Sequence, residues 1–294
     1  MKSLVTGVSG QLGYDIVKKL KEQGLNDIFA PTSKEFDITN HEQVINYILE
    51  KKPDVIFHCA AYTAVDKAEK EEDKAYKVNA IGTKNIVEAA KVVDAKIIYI
   101  STDYVFDGTK EGQYEMDDET NPQNIYGKTK LQGEKEALKY LRHFIVRISW
   151  VFGINGNNFV KTMLKLAETK TELNVVKDQI GSPTYTVDLA ELLIAMAQTE
   201  KYGIYHATNE NYCSWAEFAE YIFKTNNKNV TVNKVTTEEY LKLTGTTQAY
   251  RPKNSKLSKK TLEENFFLLP SWEDAINRYS KELQKQKTLE KKGD

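Results

Sequence analysis

The segment from Ser3 to Gly13 restricts the fold more than any other part of the chain. A short apolar run, Ser3-Leu-Val-Thr6, leads into Gly7-Val-Ser-Gly10-Gln-Leu-Gly13, and helical periodicity starts directly behind it. A strand that turns straight into a helix needs residues without a Cβ where backbone passes close to backbone. The start of such a helix presents unpaired N–H groups and a partial positive charge, both suited to phosphate. The spacing is Gly-x-x-Gly-x-x-Gly rather than Gly-x-Gly-x-x-Gly, so the turn alone is also compatible with a plain tight connection. Its place at the first βα junction makes Gly7, Gly10 and Gly13 candidates for holding a dinucleotide pyrophosphate.

The rest of the first half repeats the strand–helix texture. Apolar, β-branched runs predict strands over 2–6, 27–30, 54–60, 96–101 and 144–149. Between them, periodic segments predict helices over 11–23, 42–51, 74–93 and 126–140, the second stopped by Pro53. Alternation of this kind implies parallel βαβ units, and strands without polar alternation imply a sheet covered on both faces. The expected fold is therefore α/β, a Rossmann-type doubly wound parallel sheet with its ligand at the carboxyl ends of the strands.

After Trp150 the pattern loosens. Helices are expected over 159–168, 187–198, 215–225 and 236–243, with a loop over 178–183. We divide the chain into a dinucleotide-binding domain, 1–150, and a smaller, partly interleaved α/β substrate-binding region, 151–294. Its polar tail from about 281 is expected to be a frayed helix or disordered.

Composition narrows the partners. The formal net charge of −1 gives no global field that would draw the chain to nucleic acid or to a membrane surface. No apolar run approaches the roughly 18–20 residues of a membrane span. A fold that starts at Met1 leaves no room for a signal peptide, so a cytoplasmic protein is expected. Cys59 and Cys213 suggest no disulfide framework, and His41, His58, His143 and His206 lack metal-ligand spacing.

Two further features carry chemistry. The second strand ends at Ala30-Pro-Thr-Ser33-Lys34 without the carboxylate that usually holds a cofactor ribose, and Asp37 follows a little later. Ser33 and Lys34 could instead meet a 2′-phosphate, which favours NADPH with NADH also accepted; Lys34 could equally be a solvated surface lysine. Tyr126 and Lys130 stand four apart on one helical face, where an ammonium is expected to lower the phenol's pKa for proton exchange with a carbonyl oxygen. Tyr14/Lys18 and Tyr47/Lys51 have the same spacing. Only Tyr126 opens a helix that follows a strand ending in hydroxyls, Ile100-Ser-Thr102-Asp103, so Thr102 can share the substrate oxygen with the phenol.

These residues resemble the extended short-chain dehydrogenases/reductases: the glycine spacing, Asn79 in Val-Asn-Ala-Ile-Gly-Thr, Thr102, and Tyr126 with Lys130. Longer strings are similar to the dTDP-4-dehydrorhamnose reductase family. They are Ala60-Ala-Tyr-Thr-Ala-Val-Asp-Lys-Ala-Glu69, Ser101-Thr-Asp-Tyr-Val-Phe-Asp-Gly108, Tyr126-Gly-Lys-Thr-Lys-Leu-Gln-Gly-Glu134, Ser149-Trp-Val-Phe-Gly153, Gly156-Asn-Asn-Phe159 and Arg251-Pro-Lys-Asn-Ser255. The resemblance runs from Lys2 to about Trp272.

It implies reduction of the C4 keto group of dTDP-4-dehydro-6-deoxy-L-mannose by a reduced nicotinamide cofactor. Tyr126 would donate the proton, Lys130 would hold the nicotinamide ribose, and Thr102 would tune the tyrosine and the sugar. It further implies that Gly10, Gln11 and Leu12 bind the pyrophosphate and Asp37 and Ile38 the adenine end. Ala60, Ala61, Tyr62 and Ile100 would bind the cofactor's middle. Thr102, Asp103 and Trp150 would contact the sugar nucleotide, and Asn157, Asn158 and Arg251 its phosphates.

Some members of the family are described as dimers bridged by Mg2+. Asp15 stands near one expected ligand, but no full ligand set is identifiable, so no metal residue is assigned and monomer and homodimer stay open. Two alternatives remain at this point. One is another nucleotide-sugar epimerase or dehydratase, since Asp103 follows Thr102. The other is a non-catalytic regulatory subunit like that of methionine adenosyltransferase.

Overall fold

Successive strand residues point to opposite faces of a sheet, so a strand buried on both faces must be apolar at every position. In the first strand, β1 (Ser3–Thr6), the two central residues meet this condition: Leu4 packs into one core cluster and Val5 into another. The computed structural model describes the backbone of residues 1–293, and side chains through residue 286 and at Thr288. After β1 come α1 (Gln11–Glu22), β2 (Ile28–Phe29), α2 (His41–Lys51), β3 (Val55–His58), α3 (Val65–Ala68) and α4 (Glu72–Tyr76). A π-helical turn, Lys77–Gly82, joins α4 to α5 (Thr83–Val93). Then follow β4 (Lys96–Thr102), a 3-10 turn (Asp103–Val105), α6 (Ile125–Ala137) and β5 (His143–Ile148).

The second half holds β6 (Val151–Phe152), α7 (Phe159–Leu166), β7 (Glu172–Val176), β8 (Ile180–Gly181), β9 (Thr184–Tyr185), α8 (Thr186–Ala197) and β10 (Gly203–His206). It continues with β11 (Asn209–Glu210), β12 (Cys213–Ser214), α9 (Trp215–Thr225), β13 (Thr231–Val235) and α10 (Thr237–Thr244). The last elements are β14 (Asn254–Ser255), α11 (Lys260–Asn265), β15 (Leu269–Ser271) and α12 (Trp272–Gly293).

The main sheet has the order β2-β1-β3-β4-β5-β10, with every pair parallel. Strand order reverses between β1 and β3, which opens a crevice at their carboxyl ends. Val5, Phe57, Ile98, Phe144 and Val146 face α1 and α8, while Leu4, Ile56, Ile97, Tyr99 and Ile145 face α2 and α5. The expected doubly wound α/β sheet is thus present. Its sixth strand, β10, and one of its covering helices, α8, come from the second half of the chain. The remainder of that half builds its own core from α7, α9 and α12, around Phe152, Phe218, Trp272, Ile276 and Tyr279.

Three expectations about elements change. The helix expected over 74–93 is interrupted by the π turn, where Gly82 lets Ile38 approach so closely that a Cβ would lie 2.8 Å from its Cδ1. The 178–183 loop contains β8, and the parallel pair β7–β13 lies where no element was expected. The tail from 281 is helical rather than disordered and continues α12 to Gly293. Leu283 packs on the second core, and Glu282 accepts from Tyr185 Oη at 2.6 Å and Lys18 Nζ at 2.9 Å. Asp294 lies outside the described residues.

Candidate active site

The glycine turn is built around contacts that exclude side chains. Gly7 has φ +69°, and a Cβ there would lie 2.8 Å from Cys59 C and Ala60 N, where β1 and β3 end side by side. A Cβ at Gly13 would lie 2.5 Å from Gly7 O. Thr6 holds the neighbouring strand end: its Oγ1 accepts from Ala60 N at 3.1 Å and shares a 2.9 Å hydrogen bond with His58 Nδ1. Gly10 caps α1 with no side-chain hydrogen bond to the helix N-terminus. A loop of the second half straps this turn. Gln11 Oε1 accepts from Gly153 N at 2.9 Å and Asn158 Nδ2 at 3.0 Å, and Asn155 Nδ2 donates to Ser9 O at 2.9 Å.

From this turn a cavity of about 670 Å³ runs across the carboxyl ends of the strands to Tyr126. It brings together Gly7, Gly10, Gln11, Leu12, Gly13, Ser33, Asp37, Ile38, Ala60, Ala61 and Ile100 with Thr102, Asp103, Tyr126, Lys130, Trp150 and Asn157. Four expected residues do not line it. Lys34 is exposed beside Ser33. Tyr62 turns its hydroxyl to Glu71 Oε2 at 3.1 Å, and its backbone is held by Asn79. Asn158 is the N-cap of α7 and is spent on Lys161 N, Gly153 O and Gln11. Arg251 stands behind Tyr104, donating to its hydroxyl at 3.0 Å and to both Asp66 oxygens at 2.9 and 2.8 Å. Wall residues not singled out from sequence include Thr63, Val65, Tyr104, Ser149 and Gly156. All five fall within the strings quoted above, where they were given no separate role.

The arrangement fits a dinucleotide. The turn lacks Cβ atoms where a pyrophosphate would approach, the α1 N-terminus is free of side-chain caps, and no carboxylate closes β2. Glu35 is folded back onto Thr32, accepting from its N at 2.8 Å and Oγ1 at 2.9 Å.

At the other end α6 carries the phenol. Asn124 caps this helix by accepting from Gly127 N at 2.7 Å, and Gly127 lets the first turn press against Tyr104 O. Tyr126 meets the Tyr104 ring edge-on, with centroids 5.5 Å apart. Lys130 donates to Ile100 O at 2.6 Å and sits 4.1 Å from the centre of the Tyr99 ring. The expected lowering of the phenol's pKa by Lys130 is not found. Burial pushes the Tyr126 phenol above its usual range, Asp103 and Tyr104 add to that, and only the Thr102 hydroxyl opposes it. Burial likewise brings Lys130 down to about 7, because both groups favour their neutral forms away from water. The shared helical face is real, but the long lysine chain reaches back to β4.

A buried ion pair fixes α6 to the sheet. Arg147 of β5 grips both oxygens of Glu134 at 3.0 and 2.8 Å, and Ser101 Oγ donates to Glu134 at 2.5 Å. Thr102 Oγ1 accepts from Tyr104 N at 3.2 Å and donates to Asp103 Oδ1 at 3.0 Å. Burial raises the Asp103 carboxyl to about 6 against the hydroxyls that hydrogen-bond it. Trp150, with φ +50°, stacks on Trp215 at 3.6 Å, so it is part of an aromatic wall as well as of the cavity. Among the described residues no group of three or more His, Cys, Asp or Glu side chains could hold a metal ion, and no helix is long and apolar enough to cross a membrane.

Comparison with known proteins converges on one family. The model of the RmlD substrate binding domain matches residues 1–285. A dTDP-4-dehydrorhamnose reductase of Aggregatibacter actinomycetemcomitans is 44% identical over 287 residues, 93% of this chain and 96% of that one. The spore coat polysaccharide biosynthesis protein SpsK of Bacillus subtilis (strain 168) is 43% identical over 282 residues, 96% of this chain and 97% of that one. The crystal structure of a dTDP-4-dehydrorhamnose reductase from Bacillus anthracis str. Ames in complex with NADP has a TM-score of 0.91 to this fold. It is 44% identical, covering 96% of this chain and 100% of that one.

Proposed function

The chain belongs to the dTDP-4-dehydrorhamnose reductase family, and on that premise we propose that it reduces the C4 keto group of dTDP-4-dehydro-6-deoxy-L-mannose to give dTDP-L-rhamnose. The observation that carries this reading is the single cavity that joins the glycine turn to Thr102, Asp103, Tyr126 and Lys130. A reduced nicotinamide dinucleotide, NADPH or NADH, supplies the hydride when bound. The NADP held by the Bacillus anthracis relative supports the choice of cofactor.

Residues 1–150, completed by α8 and β10, form the cofactor-binding part in this proposal, and the remaining second half recognises the sugar nucleotide. Gly7, Gly10, Gln11, Leu12 and Gly13 hold the pyrophosphate, Ser33, Asp37 and Ile38 the adenosine end, and Ala60, Ala61 and Ile100 the middle. Lys130 holds the nicotinamide ribose. Thr102, Asp103, Trp150 and Asn157 face the sugar. Arg251, whose Nη1 donates to Tyr104 and Nη2 to Asp66, serves the substrate diphosphate by exchanging Asp66 for it.

Tyr126 is the proton donor. As the carbonyl oxygen gains charge, a phenol kept protonated by burial and by Asp103 is the acid that the reductive direction needs. The test is Tyr126→Phe. Turnover is expected to fall by roughly 10²–10⁴-fold with NADPH affinity retained, while Tyr14→Phe and Tyr47→Phe keep wild-type turnover. Wild-type turnover in Tyr126→Phe would remove the assignment.

A further inference from the structure

Ser255 belongs to the second half, is 3% exposed and does not line the cavity. Its hydroxyl nevertheless donates to Asp103 Oδ2 at 2.5 Å, while the other oxygen of that carboxylate accepts from Thr102. Thr102 and Tyr126 both line the cavity. The serine is held firmly. β14 pairs with β8, placing Ser255 beside Gly181, and Asn254 is tied to the first half through Gly108 O at 3.1 Å, Lys110 O at 2.7 Å and Gly112 O at 2.8 Å.

We propose that Ser255 is a positioning residue for proton transfer: by donating to Asp103 Oδ2 it fixes the carboxylate whose Oδ1 accepts from Thr102, and so orients the Thr102 hydroxyl in the cavity that Tyr126 lines. This rests on the reading of Tyr126 as proton donor. The charged and titratable groups around Asp103 are Tyr104 and Tyr126 on the cavity side and Arg251 from the segment before β14, itself paired with Asp66.

The sign follows from the balance at Asp103. Burial raises it to about 6, and the hydroxyls of Ser255 and Thr102 pull the other way. Without the serine hydroxyl, burial meets less opposition and the carboxyl protonates at higher pH. A protonated Asp103 no longer accepts through both oxygens, Oδ1 from Thr102 and Oδ2 from Ser255, so the Thr102 hydroxyl loses its orientation. Loss of one hydrogen bond to a charged group corresponds to an upward shift of about one to two pH units.

The experiment is kcat against pH from about 5 to 9 with NADPH and the 4-keto sugar nucleotide, for wild type, Ser255→Ala and Asp103→Asn, beside Tm and NADPH affinity. Wild-type kcat is expected to fall on the acid side. In Ser255→Ala that limb moves up by about one to two pH units, with NADPH affinity and the alkaline KM unchanged. In Asp103→Asn the limb is absent. An unmoved limb in Ser255→Ala, with or without a lower Tm, overturns the proposal and leaves the serine as packing. If Ser255→Ala does not fold, Asp103→Asn decides, and an acid limb that persists there overturns it. Tyr126→Phe separates the layers: if it keeps its turnover the proton-donor reading fails, whereas an inactive Tyr126→Phe beside an unmoved limb in Ser255→Ala sinks this inference alone.

Discussion

Lys34 stands exposed just outside the cavity, next to Ser33, which lines it. Of the acidic side chains in that loop, Glu35 is occupied by Thr32, and Asp37, which lines the cavity, accepts from Thr39 N and Oγ1. A solvated lysine contributes modestly, and Lys34→Ala is expected to raise the KM for NADPH by about two- to fivefold and to leave the KM for NADH alone. Equal effects on both cofactors would make Lys34 an ordinary surface residue. At this scale the sequence carried much of the site, because residue type and position at a strand end are themselves the signal. Gly7, Thr102 and Tyr126 are examples. It misread the electrostatics of Tyr126, since burial and the direction of the Lys130 side chain depend on β4, which sequence spacing does not reveal. Nor could spacing show that Asn158 would be used up as a helix cap.

Between elements, the junction of α1, α8 and α12 holds a buried carboxylate. Asp15 Oδ2 accepts from Thr186 Oγ1, and Oδ1 is buried without a hydrogen-bond partner among the described residues. Burial raises Asp15 to about 6, Thr186 opposes it, Glu282 and Glu22 add to it, and Lys18 lowers it. A carboxyl whose folded-state pKa lies above its unfolded value favours the fold when protonated. That contribution is full below about pH 4 and is lost as pH rises through about 6. Asp15→Asn removes the charge, so its Tm is expected to exceed wild type by about 2–8 °C at pH 8 and by much less at pH 4.5. Equal changes at the two values would assign the effect to packing rather than ionisation. Long periodic elements such as α1 and α9 were legible to within a residue or two. Two-residue strands such as β8 and β14 were not, because pairing partners distant in the chain define them, and β14 is the strand that delivers Ser255.

At the scale of the whole molecule, the two halves share both core and site. β10 and α8 complete a sheet begun in the first half, and the segment before β14 returns to Asp66, Tyr104 and the cap of α6, where Asn124 Nδ2 donates to Tyr250 O at 2.8 Å. The strand–helix alternation made the sheet legible. The return crossing was not, since only tertiary contacts mark it. A site assembled in this way can use binding energy from the remote nucleotide to orient the reacting carbonyl, which is why the free keto sugar is expected to be a poor substrate. The decisive measurement is net nicotinamide oxidation. Purified protein with NADPH and dTDP-4-dehydro-6-deoxy-L-mannose should oxidise one NADPH for each dTDP-L-rhamnose formed, and with the free keto sugar it should oxidise almost none. Conversion of the sugar nucleotide without net NADPH consumption, as an epimerase or dehydratase would give, or no conversion at all, would contradict the account.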